Sequence, residues 1–231
     1  MSETKVVQID VTVAAPVDVV WEALRDPSEI RRWFGWEYDG LTEEIDAIFL
    51  ENASASDDEH TVELWGGDRF LLEARGDETV LHVTRAAPAG ESWDGIHEGW
   101  ITFVQQLRFA LARHRGEERR TLYLSGASKG AVDPRPPEIV HADTLALAPG
   151  ERYKATVPTG ETLSGELWYR SAHQIGLTVD NYGDGLLVLT GKPAALEPPH
   201  GGGIVLVTTY GLDDGALVAV HRRWTEWWEA R

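Results

Sequence analysis

The stretch Val11-Thr12-Val13-Ala14-Ala15-Pro16-Val17-Asp18-Val19-Val20-Trp21-Glu22-Ala23-Leu24 decides how this chain begins. Its first residues close an alternating run from Lys5. Val7, Ile9, Val11 and Val13 fall on one side, and Gln8, Asp10 and Thr12 on the other. A period of two with one apolar side is the pattern of a half-buried strand. Ala15-Pro16 ends that strand, because proline has no amide hydrogen for a ladder and its fixed φ suits a first helical turn. Val17, Val20, Trp21 and Leu24 then fall at offsets 0, 3, 4 and 7, the spacing of an amphipathic helix.

Working outward, Asp26-Pro27-Ser28 breaks the helix, and a second short one through Ile30, Trp33 and Phe34 stops at Gly35. Leu41, Ile45, Ile48 and Phe49 argue for a third helix between Gly40 and Asn52. Ala53 to Glu59 reads as a polar loop. Three strands are predicted at His60–Trp65, Arg69–Ala74 and Thr79–Arg85, with turn chemistry at Gly66-Gly67-Asp68 and Gly76-Asp77 between them. After a loop at Ala86–Ser92, the long segment Trp93–Arg115 carries Trp100, Phe103, Val104, Leu107 and Leu111 on one stripe, a long helix.

Beyond a charged break at Gly116–Arg120, the reading is mostly strand. Candidates are Thr121–Leu124, Thr144–Leu147, Tyr153–Val157, Leu163–Arg170, Gln174–Val179, Leu186–Thr190 and Ile204–Tyr210. Ala131–Glu138 is proline-rich, and Ala194–Gly203 reads as a loop. A terminal helix carries Leu217, Val220, Trp224, Trp227 and Trp228 on a face expected to be buried. Each half therefore ends in strands followed by one amphipathic helix. The expected division is 1–118 and 119–231, with a structural duplication or one continuous sheet both open.

The composition bounds the function. The chain has 231 residues, 42% of them hydrophobic, which predicts a packed core. It has no cysteine, which excludes disulfides, thiolate metal sites and a cysteine nucleophile, and fits a cytoplasmic setting. Met1 to Asp10 has no secretory apolar region, and no run is long enough for a transmembrane helix, so no membrane insertion is expected. The formal net charge is −17, and no Lys or Arg stands between Arg32 and Arg69. Such a balance repels nucleic acid and reads as a solvated acidic face, or as a surface for a basic partner. Eight histidines are scattered without metal-ligand spacing, so no metal and no other cofactor is expected. No Gly-x-Ser-x-Gly elbow or phosphate-binding loop is present.

Three elements together carry a resemblance. They are the opening strand with Ala15-Pro16 and its helix, the run Asp26-Pro27-Ser28-Glu29-Ile30-Arg31-Arg32-Trp33-Phe34, and Gly99-Trp100 opening the long helix with Phe103 and Leu107 after it. In order and spacing they resemble the START/polyketide-cyclase-like (SRPBCC, Bet v 1-like) superfamily, and within it the branch of activators of the heat-shock ATPase. The resemblance covers roughly Lys5 to His114. It implies an α+β helix-grip fold, an antiparallel sheet curled around a long C-terminal helix. The second β-rich half, ending in another helix, reads as a degenerate copy. The helix predicted between Gly40 and Asn52 departs from the family, which usually runs into a β-hairpin there.

The resemblance also implies a cavity between sheet and helix that takes an apolar small molecule. Its expected walls are Trp33 and Phe34 at the mouth, Trp65, Phe70 and Leu72 from the sheet, and Trp100, Phe103, Val104 and Leu107 from the long helix. For each of these, plain core packing is the competing reading. A carrier of a hydrophobic molecule leads. A cyclase/aromatase-type enzyme would need an ionisable group in the cavity, for which His82, Tyr38 and Asp39 are the candidates. A chaperone-associated interaction module, with a homodimer or protein partner, is the third reading. His97-Glu98 is expected to cap the long helix.

Overall fold

The computed structural model describes residues 4–88, 93–128, 139–140 and 142–230. The chain forms two compact units, 1–117 and 118–231.

The first unit opens with strand β1 (Thr4–Val13), whose Val11 and Val13 point into the core while Gln8, Asp10 and Thr12 face outward. Helix α1 (Val17–Ala23) starts after Pro16, and α2 (Pro27–Arg31) has proline at its first position. The Asp26 carboxylate caps α2 by accepting from the Ser28 and Glu29 amides at 2.8 and 3.2 Å. Helix α3 (Leu41–Ile45) passes directly into a π-helical stretch, Asp46–Glu51. The predicted third helix is therefore present, with its second half wound wider than an α-helix. That winding leaves Leu41, Ile45 and Phe49 all on the buried side.

Four strands follow: β2 (Ser54–Ser56), β3 (Thr61–Glu63), β4 (Arg69–Arg75) and β5 (Glu78–Pro88). The sheet order is β1-β5-β4-β3-β2, antiparallel throughout, with Val13 opposite Thr79 and Asp10 opposite His82. The loop expected at Ala53–Glu59 contains the short edge strand β2, which pairs with β3 through Ser54 and Glu63. Helix α4 (Gly95–Arg113) closes the unit. Its buried residues include Trp100, Val104 and Leu107, and these share one core with β1, α1, α2, α3 and the inner face of the sheet. The cap of α4 is Asp94, which accepts from the Ile96 and His97 amides at 3.0 and 3.2 Å, in place of the expected His97-Glu98 pair. Glu98 is instead buried.

The second unit has its own sheet and closing helix. Strand β6 (Arg119–Ala127) is followed by a five-residue helix α5 (Ala142–Ala146) and by β7 (Arg152–Thr156), β8 (Thr162–Arg170), β9 (Gln174–Val179), β10 (Gly185–Lys192) and β11 (Gly202–Tyr210). Helix α6 (Asp214–Ala230) ends it. The strand order is β6-β11-β10-β9-β8-β7, so again the first strand of the unit lies beside its last and the rest form a meander. The expected strand at Thr144–Leu147 is a correction: α5 occupies most of it. Leu145 and Leu147, whose alternation suggested a strand, instead both pack against the core from a helical turn and its exit. The proline-rich segment 131–138 lies outside the described residues.

The chain is thus an α+β helix-grip protein, with an antiparallel sheet and a long amphipathic helix after the last strand in each unit. Among the described residues no helix is long and apolar enough to cross a membrane.

Candidate functional site

The helix–sheet interior of the first unit is where the walls of a cavity were expected. Eight of the nine expected wall residues meet there: Trp33, Phe34, Phe70, Leu72, Trp100, Val104 and Leu107 are buried, and Phe103 packs against them partly exposed. They meet one another. The ring of Phe34 lies 4.8 Å from Phe103, 5.0 Å from Phe49 and 6.0 Å from Trp100, centroid to centroid. Trp100 in turn stands edge-on to Phe70 at 5.0 Å. These are the separations of aromatic rings in contact. Phe49 was not among the expected walls. It arrives from the π-helical stretch, and its offset from Ile45 was the one signal that could have found it.

Polar groups fix this cluster in place. The Trp33 indole donates to the Ala23 carbonyl at 2.8 Å, and Gln106 on α4 donates to the Gly35 carbonyl at 3.2 Å. The Trp100 indole donates to Asp68 at 2.6 Å. Asp68 also lies 3.4 Å from Arg85, and Arg85 pairs with Asp94, the cap of α4. Burial alone would push the Asp94 carboxyl up. The His97 amide, Arg85 and the Ile96 amide outweigh it and hold the group below its usual range. A void between α2 and α4, bounded by Trp33, Leu107, Ala110 and His114 among others, measures only about 10 Å³, room for a single water molecule at most.

Trp65 is the exception and a correction. It is 80% exposed, because β3 ends at Glu63 and Trp65 sits on the turn into β4. The turn takes Leu64 inward and Trp65 outward.

His82 also lies elsewhere than the cavity reading requires. It stands on the outer face of the sheet, its Nδ1 at 2.7 Å from Asp10 and its Nε2 at 3.5 Å from Glu73. Asp10 further accepts from Gln8 at 2.6 Å, and that hydrogen bond is the main reason its carboxyl is held low, against a smaller push from burial. Tyr38 is 45% exposed, and its hydroxyl donates to Glu44 at 2.7 Å. Partial burial, and then Glu44, push the phenol up to about 12. Asp39 is exposed. None of the three lies in the aromatic interior. Among the described residues no three His, Asp or Glu side chains are grouped to hold a metal ion.

A recess of about 430 Å³ lies in the second unit. Its apolar lining is Leu145 from α5, Ile175 from β9, Ala172 and Pro193. Its polar lining is Arg170, Ser171, His173 and Gln174 from the β8–β9 hairpin, and Lys192 from the end of β10. The hairpin is held rigidly. The Ser171 amide donates to the Gln174 carbonyl at 3.0 Å, and the Gln174 amide to the Ser171 hydroxyl at 3.1 Å. The Tyr169 hydroxyl donates to the Gln174 side chain at 2.7 Å, and its ring lies over Gly176, where there is no room for a Cβ. Arg170 donates to the Leu147 carbonyl at 3.2 Å. Lys192 reaches the Ser125 hydroxyl at 2.9 Å and Glu197 at 3.5 Å. Sequence reading passed over this group. Arg170 and Lys192 are distant in the chain and meet only because Gln174 pairs with Thr190 across β9 and β10.

No protein-family model matches the chain, and no curated protein matches it. Solved structures similar to it include DynU16, from the dynemicin biosynthetic locus, at 17% identity over 96% of this chain and 94% of that one, with a TM-score of 0.33. The di-domain ARO/CYC StfQ of the steffimycin biosynthetic pathway is 12% identical over 95% and 91%, with a TM-score of 0.33. The Aha1 dimer from Colwellia psychrerythraea is 16% identical over 48% of this chain and 99% of that one, with a TM-score of 0.34. The helix-grip assignment itself is carried by the strand order and by the long helix that follows the sheet.

Proposed function

We propose that the protein binds a small molecule, and that the recess of the second unit holds it. The recess carries this reading. Its volume of about 430 Å³ falls in the range of small-molecule sites, and it combines an apolar lining with a few convergent polar groups on a hydrogen-bonded hairpin. The helix–sheet interior of the first unit supports a different role. Phe34, Phe49, Phe70 and Trp100 occupy that space with their own rings, which suits a packed body better than a container. The similar strand order of the two sheets supports reading the second unit as a diverged copy of the first.

Native mass spectrometry of the full chain, followed by denaturing extraction, tests this. A stoichiometric small-molecule adduct is expected, and Ala172→Trp, at an exposed position on the rim, should abolish it while the protein stays folded. An adduct that survives Ala172→Trp but is lost in folded Phe103→Ala would return the site to the first unit.

A further inference from the structure

Resting on the recess as the ligand site, we infer that its ligand is an organic acid, an apolar body carrying a carboxylate, with Arg170 the main group that receives the charge. The sign of the lining is the argument. Asp and Glu outnumber Lys and Arg by 38 to 21 in the chain, yet among the described residues the recess is lined by Arg170, Lys192 and His173 and by no carboxylate. A cationic ligand would be repelled there, and a neutral one would gain nothing from displacing the water around two cations.

The partners of these cations rank them. Lys192 is already answered in part by Glu197 at 3.5 Å and Ser125 at 2.9 Å. Arg170 directs one N–H group to the Leu147 carbonyl, an interaction that steadies the planar fork without neutralising it. A fork anchored in this way suits two-point recognition of a carboxylate. Leu145 and Ile175 give the recess an apolar wall that offers only carbon, so the ligand's body is apolar.

A small anion such as phosphate would satisfy the cations but leave that apolar wall wet. The two sources of negative charge are therefore separable. The test uses the full-length protein and a panel of carboxylates from benzoate to 2-naphthoate and decanoate, each paired with its primary alcohol, together with inorganic phosphate, read by isothermal titration and by NMR shifts. Carboxylates should bind about tenfold or more tighter than their alcohols. Arg170→Gln should remove that preference while leaving the alcohols unchanged, and Lys192→Gln should weaken it less. Ala172→Trp should block both members of each pair. Equal binding of acid and alcohol, both blocked by Ala172→Trp, would overturn the organic-acid inference and leave the site. Binding indifferent to Ala172→Trp would overturn the site itself. Phosphate binding as tightly as the best carboxylate, with the same dependence on Arg170, would mean a bare-anion site and also overturn the inference.

Discussion

Asp94 shows how much one side chain can hold. It caps α4 through two amides and pairs with Arg85, which is itself tied to Asp68 and so to the Trp100 indole. Asn is an acceptable cap, so Asp94→Asn isolates the charge: Arg85 keeps only Asp68, in a setting where its side chain is 7% exposed. We expect a loss of about 1–3 kcal/mol at pH 7. The pH dependence follows from the direction of the shift. The folded carboxyl lies below its ordinary value of 3.8, so its contribution is complete above about pH 4 and is lost as pH falls through the folded value. Urea denaturation of both proteins from pH 7 to pH 3 should show the gap closing below pH 4, and a gap constant with pH would exclude the carboxylate charge as its source. At this scale the sequence was readable where a residue's direction follows from strand or helix period. Trp100, expected from the long helix, is buried, and so are Trp33 and Phe34, which were expected at the mouth of a cavity. Trp65, expected as a wall, is exposed: it shares the outward parity of Glu63, while Val62 and Leu64 turn inward.

Among the elements, α6 shows what fastens a terminal helix to its sheet. The Trp224 indole donates to the Tyr182 hydroxyl at 2.9 Å, Tyr182 donates to Glu161 at 2.8 Å, and Arg223 meets Glu161 at 2.7 Å. Tyr182 and Trp224 are both wholly buried, and burial first, with Glu161, pushes the Tyr182 phenol far up. The hydroxyl is thus a neutral relay between helix and sheet. Tyr182→Phe keeps the ring but strands the Trp224 N–H, and should cost about 1–3 kcal/mol. Hydrogen exchange should show α6 amides losing protection more than those of β1–β5, and uniform loss across the chain would argue against a local fastening. The terminal stripe of Leu217, Val220 and Trp224 was legible because a helix repeats its face every three to four residues. The four residues Thr144–Leu147 were too few for either period to declare itself, and α5 was misread as a strand. Strand β2 was hidden because Ser54-Ala55-Ser56, a polar edge, carries no apolar alternation.

For the molecule as a whole, a net charge of −17 means that like charges oppose compaction. Of the acids, several lie in the stretch without Lys or Arg between Arg32 and Arg69, where Glu37, Asp39, Glu43, Asp57, Asp58 and Glu59 are exposed. Salt should therefore stabilise this protein. Raising NaCl from about 10 to about 300 mM shortens the screening length from about 30 Å to roughly 6 Å, and the unfolding midpoint should rise by a few degrees. A midpoint that falls with salt would mean that ion pairs such as Arg152–Asp180 outweigh the repulsion. The helix-grip course of the first unit was readable from a handful of motifs, because each is local. The recess was not, because its cations lie on a hairpin and a strand end whose adjacency exists only once β8, β9 and β10 have paired.

In both sheets the first strand of the unit pairs with its last: Val13 with Thr79, and Arg119 with Tyr210. A ribosome makes the chain from the N-terminus, at roughly 5–20 residues per second. Strand β1 thus leaves the tunnel seconds before β5 exists, and β6 waits likewise for β11. During that interval Val7, Ile9, Val11 and Val13 form an apolar edge with no native partner. Neither sheet can be completed piecemeal from its N-terminal end, so each unit must close late, in one step, when its last strand is released.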